Sequence, residues 1–214
     1  MRYAVRPMQV EDVPQANEID RECFPTQWPP PSYKRELLFG SLSHHLVAWD
    51  TEQPAPPPEN PAGRSRPSLF WERIRYLLGM ERKEPQSPGQ RIVGLIGLWI
   101  MADKAHLTTI GVRGAYRRQG IGELLLIAAI GLALRRNASV VTLEMRRSNL
   151  AAQALYEEYG FSRIGVRKGY YSDDGEDAVV LSTERITSAS FQSQFQRLKK
   201  AHAQRWGSAQ LQID

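Results

Sequence analysis

The chain has 214 residues, 42% of them hydrophobic, with a net charge of +5 and one cysteine, Cys23. That length and apolar content suit one packed domain with additions. A single thiol excludes an internal disulfide and fits a reducing compartment, and no apolar run approaches the ~20 residues that span a bilayer. Residues 51–91 carry a charge of +2 and residues 188–214 carry +3, so the rest of the chain is neutral and its core is not expected to bind nucleic acid. The chain opens on strand-like sequence without the regions of a secretory signal, and a cytoplasmic location is expected.

Arg2 to Pro7 reads as a short strand. Glu11 to Arg21 places Val13, Ala16 and Ile19 at helical spacing, with acids in its first turn. A proline-stiffened loop carries Cys23, Phe24 and Trp28; Cys23 is expected to pack rather than react. Ser32 is placed to cap a helix over Tyr33 to Phe39, and His45 to Asp50 reads as a strand. His44 and His45 lack ligand partners at metal spacing, and no metal site is expected.

Residues 51–67 hold six of the 14 prolines, which excludes a helix or a central strand there. Ser68 to Leu78 then shows Phe70, Ile74, Leu77 and Leu78 on one helical face. Two readings of this insert stand: a linker whose helix docks on the core, or an element that docks a partner or a membrane surface. Arg91 to Met101 and Ala105 to Val112 are strands, and Gly122 to Asn137 is an almost wholly apolar helix of the kind that packs on a sheet. Val140 to Met145 reads as a buried strand. Asn149 starts a helix through Tyr159 that Gly160 ends. Phe161 to Lys168 and Ala178 to Thr183 are the arms of a hairpin. Gln192 to Trp206 carries an apolar stripe near helical spacing, with Phe191, Phe195, Leu198 and His202. The domain expected from this order spans 1–187 with the insert 51–91 inside it, followed by a basic extension, 188–214.

The stretch TTIGVRGAYRRQGIGELLL, Thr108 to Leu126, concentrates the chemistry. A strand runs through a loop into a helix, so free backbone N–H groups and the positive end of the helix dipole meet at one point. Gly120 and Gly122 would let a ligand approach the backbone and keep its space clear, and Arg117 and Arg118 add charge. This is the chemistry of a phosphate or pyrophosphate site. No Gly-Lys-Ser/Thr follows, so it is not a P-loop, and the glycine spacing is not the dinucleotide fingerprint.

Arg117-Arg118-Gln119-Gly120-Ile121-Gly122 resembles the Q/R-x-x-G-x-G/A motif of the GNAT acetyltransferases, which binds the pyrophosphate of acetyl-CoA. The resemblance continues through LEMRRSNLAAQALYEEYGF (Leu143 to Phe161) and KGYYSDDGEDAVVL (Lys168 to Leu181), which look like the RimI-type branch, the protein N-terminal alanine acetyltransferases. It implies an α+β fold, with a mixed, mostly antiparallel sheet flanked by helices.

The resemblance also implies roles. Glu144 would be the general base and Tyr156 the acid that protonates the departing sulfur. Ile110, Gly111 and Val112 would pair with the pantetheine amides of acetyl-CoA, and Asn149 would hydrogen-bond the same arm. Arg117 to Glu123 would hold the pyrophosphate through main-chain N–H groups, with the Glu123 side chain turned away. Phe24, Trp28, Tyr170 and Tyr171 would line the acceptor groove. The paired tyrosines suit the first peptide bonds of a protein or peptide N-terminus, a ribosomal protein by family analogy. Gly169 and the acidic run Asp173 to Asp177 depart from the RimI pattern and leave the first-residue preference open. Two alternatives stay open: a GNAT that acetylates Lys or a small-molecule amine, and a non-catalytic platform that presents the insert and the basic tail.

Overall fold

A computed structural model describes residues 1–26, 32–55 and 89–213. Trp28, most of the insert and its expected helix Ser68 to Leu78 lie outside the described residues. Within them the elements are β1 (Tyr3–Pro7), α1 (Val13–Cys23), α2 (Tyr33–Phe39), β2 (Ser43–Pro54), β3 (Gln90–Met101), β4 (Lys104–Val112), α3 (Ile121–Arg135), β5 (Val140–Arg146), α4 (Leu150–Glu158), β6 (Phe161–Arg167), β7 (Ala178–Thr183) and α5 (Ala189–Trp206).

The strands form one sheet in the order β1-β2-β3-β4-β5-β7-β6. Every neighbouring pair is antiparallel except β4 and β5. This is the mixed, mostly antiparallel α+β sheet expected. β2 and β3 pair as hairpin arms from Ser43↔Trp99 to Pro54↔Gln90, and Ala55 N–H donates to Gly89 O at 2.5 Å. The insert therefore leaves and re-enters the sheet at one hairpin end.

Helix α3 explains most of the core. Its run from Leu124 to Ile130 is fully buried, in one cluster with Ile96, Leu98, Leu107, Val141 and Leu143 of the sheet. Full burial of one such aliphatic side chain is worth about 1.5–3 kcal/mol, so a helix apolar on all sides is stable only where sheet and flanking chain enclose it. Asn137, in the left-handed region at φ 60°, terminates it. On the opposite sheet face, α1 and α2 bury Ala16, Ile19 and Tyr33 against Val47, Ile92 and Leu95. Ser32 takes the N-cap position of α2, but its side chain makes no capping bond. β5, read from the sequence as a buried strand, buries one face fully and the other in part. Val141, Leu143 and Met145 are buried, while Val140, Thr142, Glu144 and Arg146 between them are only partly buried. The candidate site lies on that partly buried face of β5.

The residues after β7 pack into the same core. The Ser188 side chain caps α5 by accepting from Phe191 N–H at 3.1 Å. Phe191 and Phe195 stack at 6.1 Å between ring centroids, and both join the main cluster together with Ile213. Past α5, Leu211 forms a parallel bridge to Val5, with Val5 N–H donating to Gln210 O (2.9 Å) and Gln212 N–H to Val5 O (2.8 Å). The free edge of β1 is thereby covered, which removes a template for edge-to-edge pairing. Among the described residues no helix is long and apolar enough to cross a membrane.

Phe195→Ala removes a buried ring from this shared core. It should destabilise the whole chain by about 3–5 kcal/mol, with one unfolding transition in urea followed by circular dichroism. A separate low-stability transition of α5, with the main transition unmoved, would contradict a shared core.

Candidate active site

The site begins where β4 leaves β5. The β3–β4 register shifts between Gly97↔Thr109 and Leu98↔Leu107, so Thr108 is an extra residue in β4. Such a bulge bends and twists its strand. The parallel ladder joins Lys104–Leu107 to Val140–Leu143 and stops there. Beyond it Ile110, Gly111 and Val112 pair only with β3. Their other edge offers backbone groups at strand spacing, which an amide-bearing ligand can take up as an added strand would. Gly111 is fixed by packing on its other side, because a Cβ there would lie 3.2 Å from Ile19 and 3.3 Å from Cys23 Sγ. Cys23 Sγ lies 3.4 Å from Val112 O, and burial pushes its thiol up, which suits a packed rather than a reactive cysteine.

The loop after β4 ends in the start of α3. The first α3 bond runs from Leu124 N–H to Gly120 O at 2.9 Å. The N–H groups of Ile121, Gly122 and Glu123 therefore lie ahead of the helical ladder, with the helix dipole behind them. A Cβ on Gly122 would meet nothing nearer than Val112 Cγ2 at 3.9 Å, so open space lies between the strand end and the helix start. That space and those donors fit a phosphate group.

Gly120 corrects the sequence reading. It is glycine for its left-handed φ of 76° and because a Cβ would lie 2.7 Å from the Trp206 indole, not to keep the phosphate space clear. Gln119 turns its side chain away, accepting from Tyr3 OH at 2.5 Å and donating to Ala115 O at 3.3 Å. Glu123 also turns away and accepts from Tyr159 OH at 2.8 Å. Arg117 folds back, its Nε donating to Val112 O at 3.2 Å, and Arg118 is exposed in the left-handed region at φ 61°. Ile121 is part of the core.

Across the gap stands Glu144, its side chain 8% exposed. One carboxylate oxygen is 3.0 Å from His106 Nε2 and the other 2.9 Å from the Arg167 guanidinium. The second ring nitrogen of His106, Nδ1, is 2.9 Å from Thr142 Oγ1. Nε2–H donates to the Glu144 carboxylate, Nδ1 shares a hydrogen bond with Thr142 Oγ1, and the Thr142 hydroxyl also lies 3.4 Å from Ala105 O, to which it can donate. The bulge and the parallel register together make this chain, since His106 lies directly across from Thr142. Sequence reading missed His106 and Arg167. A histidine at a polar position of the strand feeding the glycine loop was the one available signal.

Tyr156 projects from α4, is 4% exposed and packs on the Phe161 ring at 5.4 Å. Burial pushes its phenol well above the ordinary tyrosine range, so it stays protonated at neutral pH. Asn149 caps α4, its Oδ1 accepting from Ala152 N–H at 3.1 Å.

The β6–β7 loop carries Tyr170, nearly half exposed, edge-on to Tyr171 at 5.3 Å. Burial pushes the Tyr171 phenol up to about 12. Arg146, also missed, organises this loop: its guanidinium lies 4.0 Å over the Tyr171 ring and pairs with Asp173 (2.6 Å), Asp174 (2.9 Å) and Glu176 (3.0 Å). It holds the Asp173 carboxyl well below the usual range. Thr26 Oγ1 donates to Asp173 at 2.5 Å and ties the loop after α1 to this one. Phe24, half-buried, stands two residues before that tie.

The two glycines should respond differently. Gly122→Val should leave stability nearly unchanged and weaken coenzyme A binding by about tenfold or more, since the new side chain enters the donor-lined space. Gly120→Ala should lower stability by more than ~1 kcal/mol through backbone strain and the clash with Trp206. Titration calorimetry and thermal melts of both variants check this.

Residues 13–161 match the model of the acetyltransferase (GNAT) family. A Bacillus subtilis protein, provisionally named a ribosomal protein bS18-alanine N-acetyltransferase, is 31% identical over 180 residues, covering 84% of this chain and 94% of that protein. An N-alpha-acetyltransferase of Saccharolobus solfataricus is 44% identical over 183 residues, covering 84% and 92%. The crystal structure of the ribosomal-protein-S18-alanine N-acetyltransferase of Escherichia coli shares the fold with a TM-score of 0.59 at 23% identity, covering 87% of this chain and 96% of that one. With the parted strands, the glycine loop and this likeness on one chain, the protein belongs to the GNAT family of acetyltransferases.

Proposed function

We propose that this GNAT acyltransferase acetylates the α-amine of protein N-termini, with an exposed ribosomal-protein terminus as its natural acceptor and the cytoplasm as its place of work. The observation that carries the reading is the buried Glu144 carboxylate, held by His106 and Arg167 across the gap from the free edge of β4. The names of the B. subtilis and S. solfataricus relatives support the α-amine as acceptor. The paired tyrosines Tyr170 and Tyr171 at the groove support it as well, because their hydroxyls suit peptide groups next to a terminal amine, and a lysine side chain has no such groups.

Acetyl-CoA, when bound, supplies the acetyl group as an activated thioester. Ile110 to Val112 hold its amide arm, the N–H groups at the start of α3 bind its pyrophosphate, and Asn149 keeps its amide group for the same arm. A free α-amine has a pKa near ~8 and is partly protonated at neutral pH. Glu144 accepts that proton, and the hydrogen bond from His106, itself held by Thr142, orients the carboxylate. The Tyr156 phenol, kept neutral by burial, gives a proton to the leaving sulfur. Because burial raises that phenol, the donor stays protonated beyond the pH at which an ordinary tyrosine ionises.

A comparison of an Ala-initiated peptide with its N-blocked, Lys-bearing counterpart tests the acceptor. Acetylation of the free terminus alone is expected. Transfer to the lysine, or to polyamines, would replace this reading with the Lys or small-amine one. No transfer to any peptide would leave a binding platform.

Glu144→Gln and Tyr156→Phe should each lower kcat by about 10²–10⁴-fold, with little change in coenzyme A affinity. Part of the Glu144→Gln loss should return as pH rises toward 9, because more of the acceptor is then already neutral. Tyr156→Phe should show no such recovery. Full turnover of Glu144→Gln across pH 6–9 would remove Glu144 from the mechanism.

A further inference from the structure

The loop that faces the phosphate space passes twice through the left-handed region, once at a residue that is not glycine. Arg118 and Gly120 both have positive φ, 61° and 76°. A non-glycine residue there persists only where its surroundings fix it. The family match ends at residue 161, yet the surroundings of this loop come largely from residues beyond it. His202 Nε2 donates to Gly120 O at 3.0 Å, the same carbonyl that accepts the first α3 bond. The Trp206 indole edge covers Gly120 so closely that an ideal Cβ would lie 2.7 Å from it. Trp206 Nε1 is buried without a hydrogen-bond partner among the described residues. That unpaired donor is a cost, offset by the packing it makes on the loop.

These two residues continue one helical stripe. Phe191 and Phe195 on the same face are fixed in the core, and the chain after α5 pairs with β1, whose Tyr3 holds Gln119. The loop is thus gripped from one side by α5 and β1, while Gly122 opens on the side that fits phosphate.

We propose that α5 sets the affinity for coenzyme A, with Trp206 and His202 as positioning residues that hold the pyrophosphate loop in its binding shape. This rests on the acetyl-CoA reading of the loop. Neither residue reaches the reacting atoms, so their effect falls on cofactor binding and spares the chemical step.

The test is calorimetric titration of coenzyme A into the full-length wild type, Trp206→Ala, Trp206→Phe and His202→Ala, with steady-state kinetics on the same proteins. Trp206→Ala should weaken binding about tenfold and His202→Ala about three- to fivefold. Trp206→Phe, which keeps an aromatic ring and drops the unpaired donor, should stay within about twofold of wild type. KM for acetyl-CoA should rise in parallel, while kcat and the acceptor KM hold. A folded Trp206→Ala protein with unchanged affinity overturns the proposal. If Trp206→Ala does not fold, unchanged affinity in His202→Ala overturns it alone. Equal changes in kcat and acceptor KM also overturn it, since they mark general loosening. A wild type that does not bind coenzyme A would refute the acetyl-CoA reading itself.

Discussion

One extra residue, Thr108, separates β4 from β5 halfway along their length. The other features of the site depend on that parting. If the parallel ladder continued past Leu107 and Leu143, the backbone of Ile110 to Val112 would be spent on β5, and the Glu144 carboxylate would have no gap to face. The unmade ladder bonds cost little while water solvates the exposed groups. A ligand that carries amides regains them, which is why a gap in a sheet serves as a binding site and a gap in a helix seldom does. β5 keeps its place despite losing one neighbour because β7 pairs with it from Thr142 to Arg146 on the other side.

The charges around the gap divide by burial. Glu144 is nearly enclosed, and removing its partners would leave a buried carboxylate, a change that is costly in folded proteins. Arg146 and its three carboxylates are far more exposed, and solvent screens pairs of that kind. Their value is geometric. One guanidinium fixes Tyr171 by stacking and the acidic loop by pairing, and through Thr26 the two walls of the groove are joined. The acidic run that departs from the family pattern is therefore the counterpart of Arg146 and leaves little unpaired negative charge at the groove.

Local signals were legible in the sequence. The enclosed helix α3, its stop at Asn137, the Gly160 stop of α4 and the turned-away Glu123 all follow from residues within a turn or two of one another. Register was not legible. His106 meets Thr142 and Glu144 only because two strands 36 positions apart pair in parallel with one alignment, and a shift of one residue would turn the ring to the other face. Arg146 was hidden for a similar reason, since its partners lie 27 to 30 residues away across a hairpin loop. The apolar run of β5 showed that the strand is buried, but not that its alternate residues from Val140 to Arg146 would be the less buried face.

Charge counting reads the tail only as a basic extension. The four basic residues between 188 and 214 are real, but Arg197, Lys200 and Arg205 occupy the exposed face of α5. The opposite face runs Phe191, Phe195, Leu198, His202, Trp206, at intervals of three and four. Such a stripe must be buried against something, and the sequence alone names no partner for it. Its first members sit in the hydrophobic core and its last two sit on Gly120. A helix with that spacing is rigid over its length, so fixing Phe191 and Phe195 also fixes where His202 and Trp206 fall. The constraint on Gly120, read locally as a matter of phosphate, is in this chain set by a helix that begins 69 residues further on.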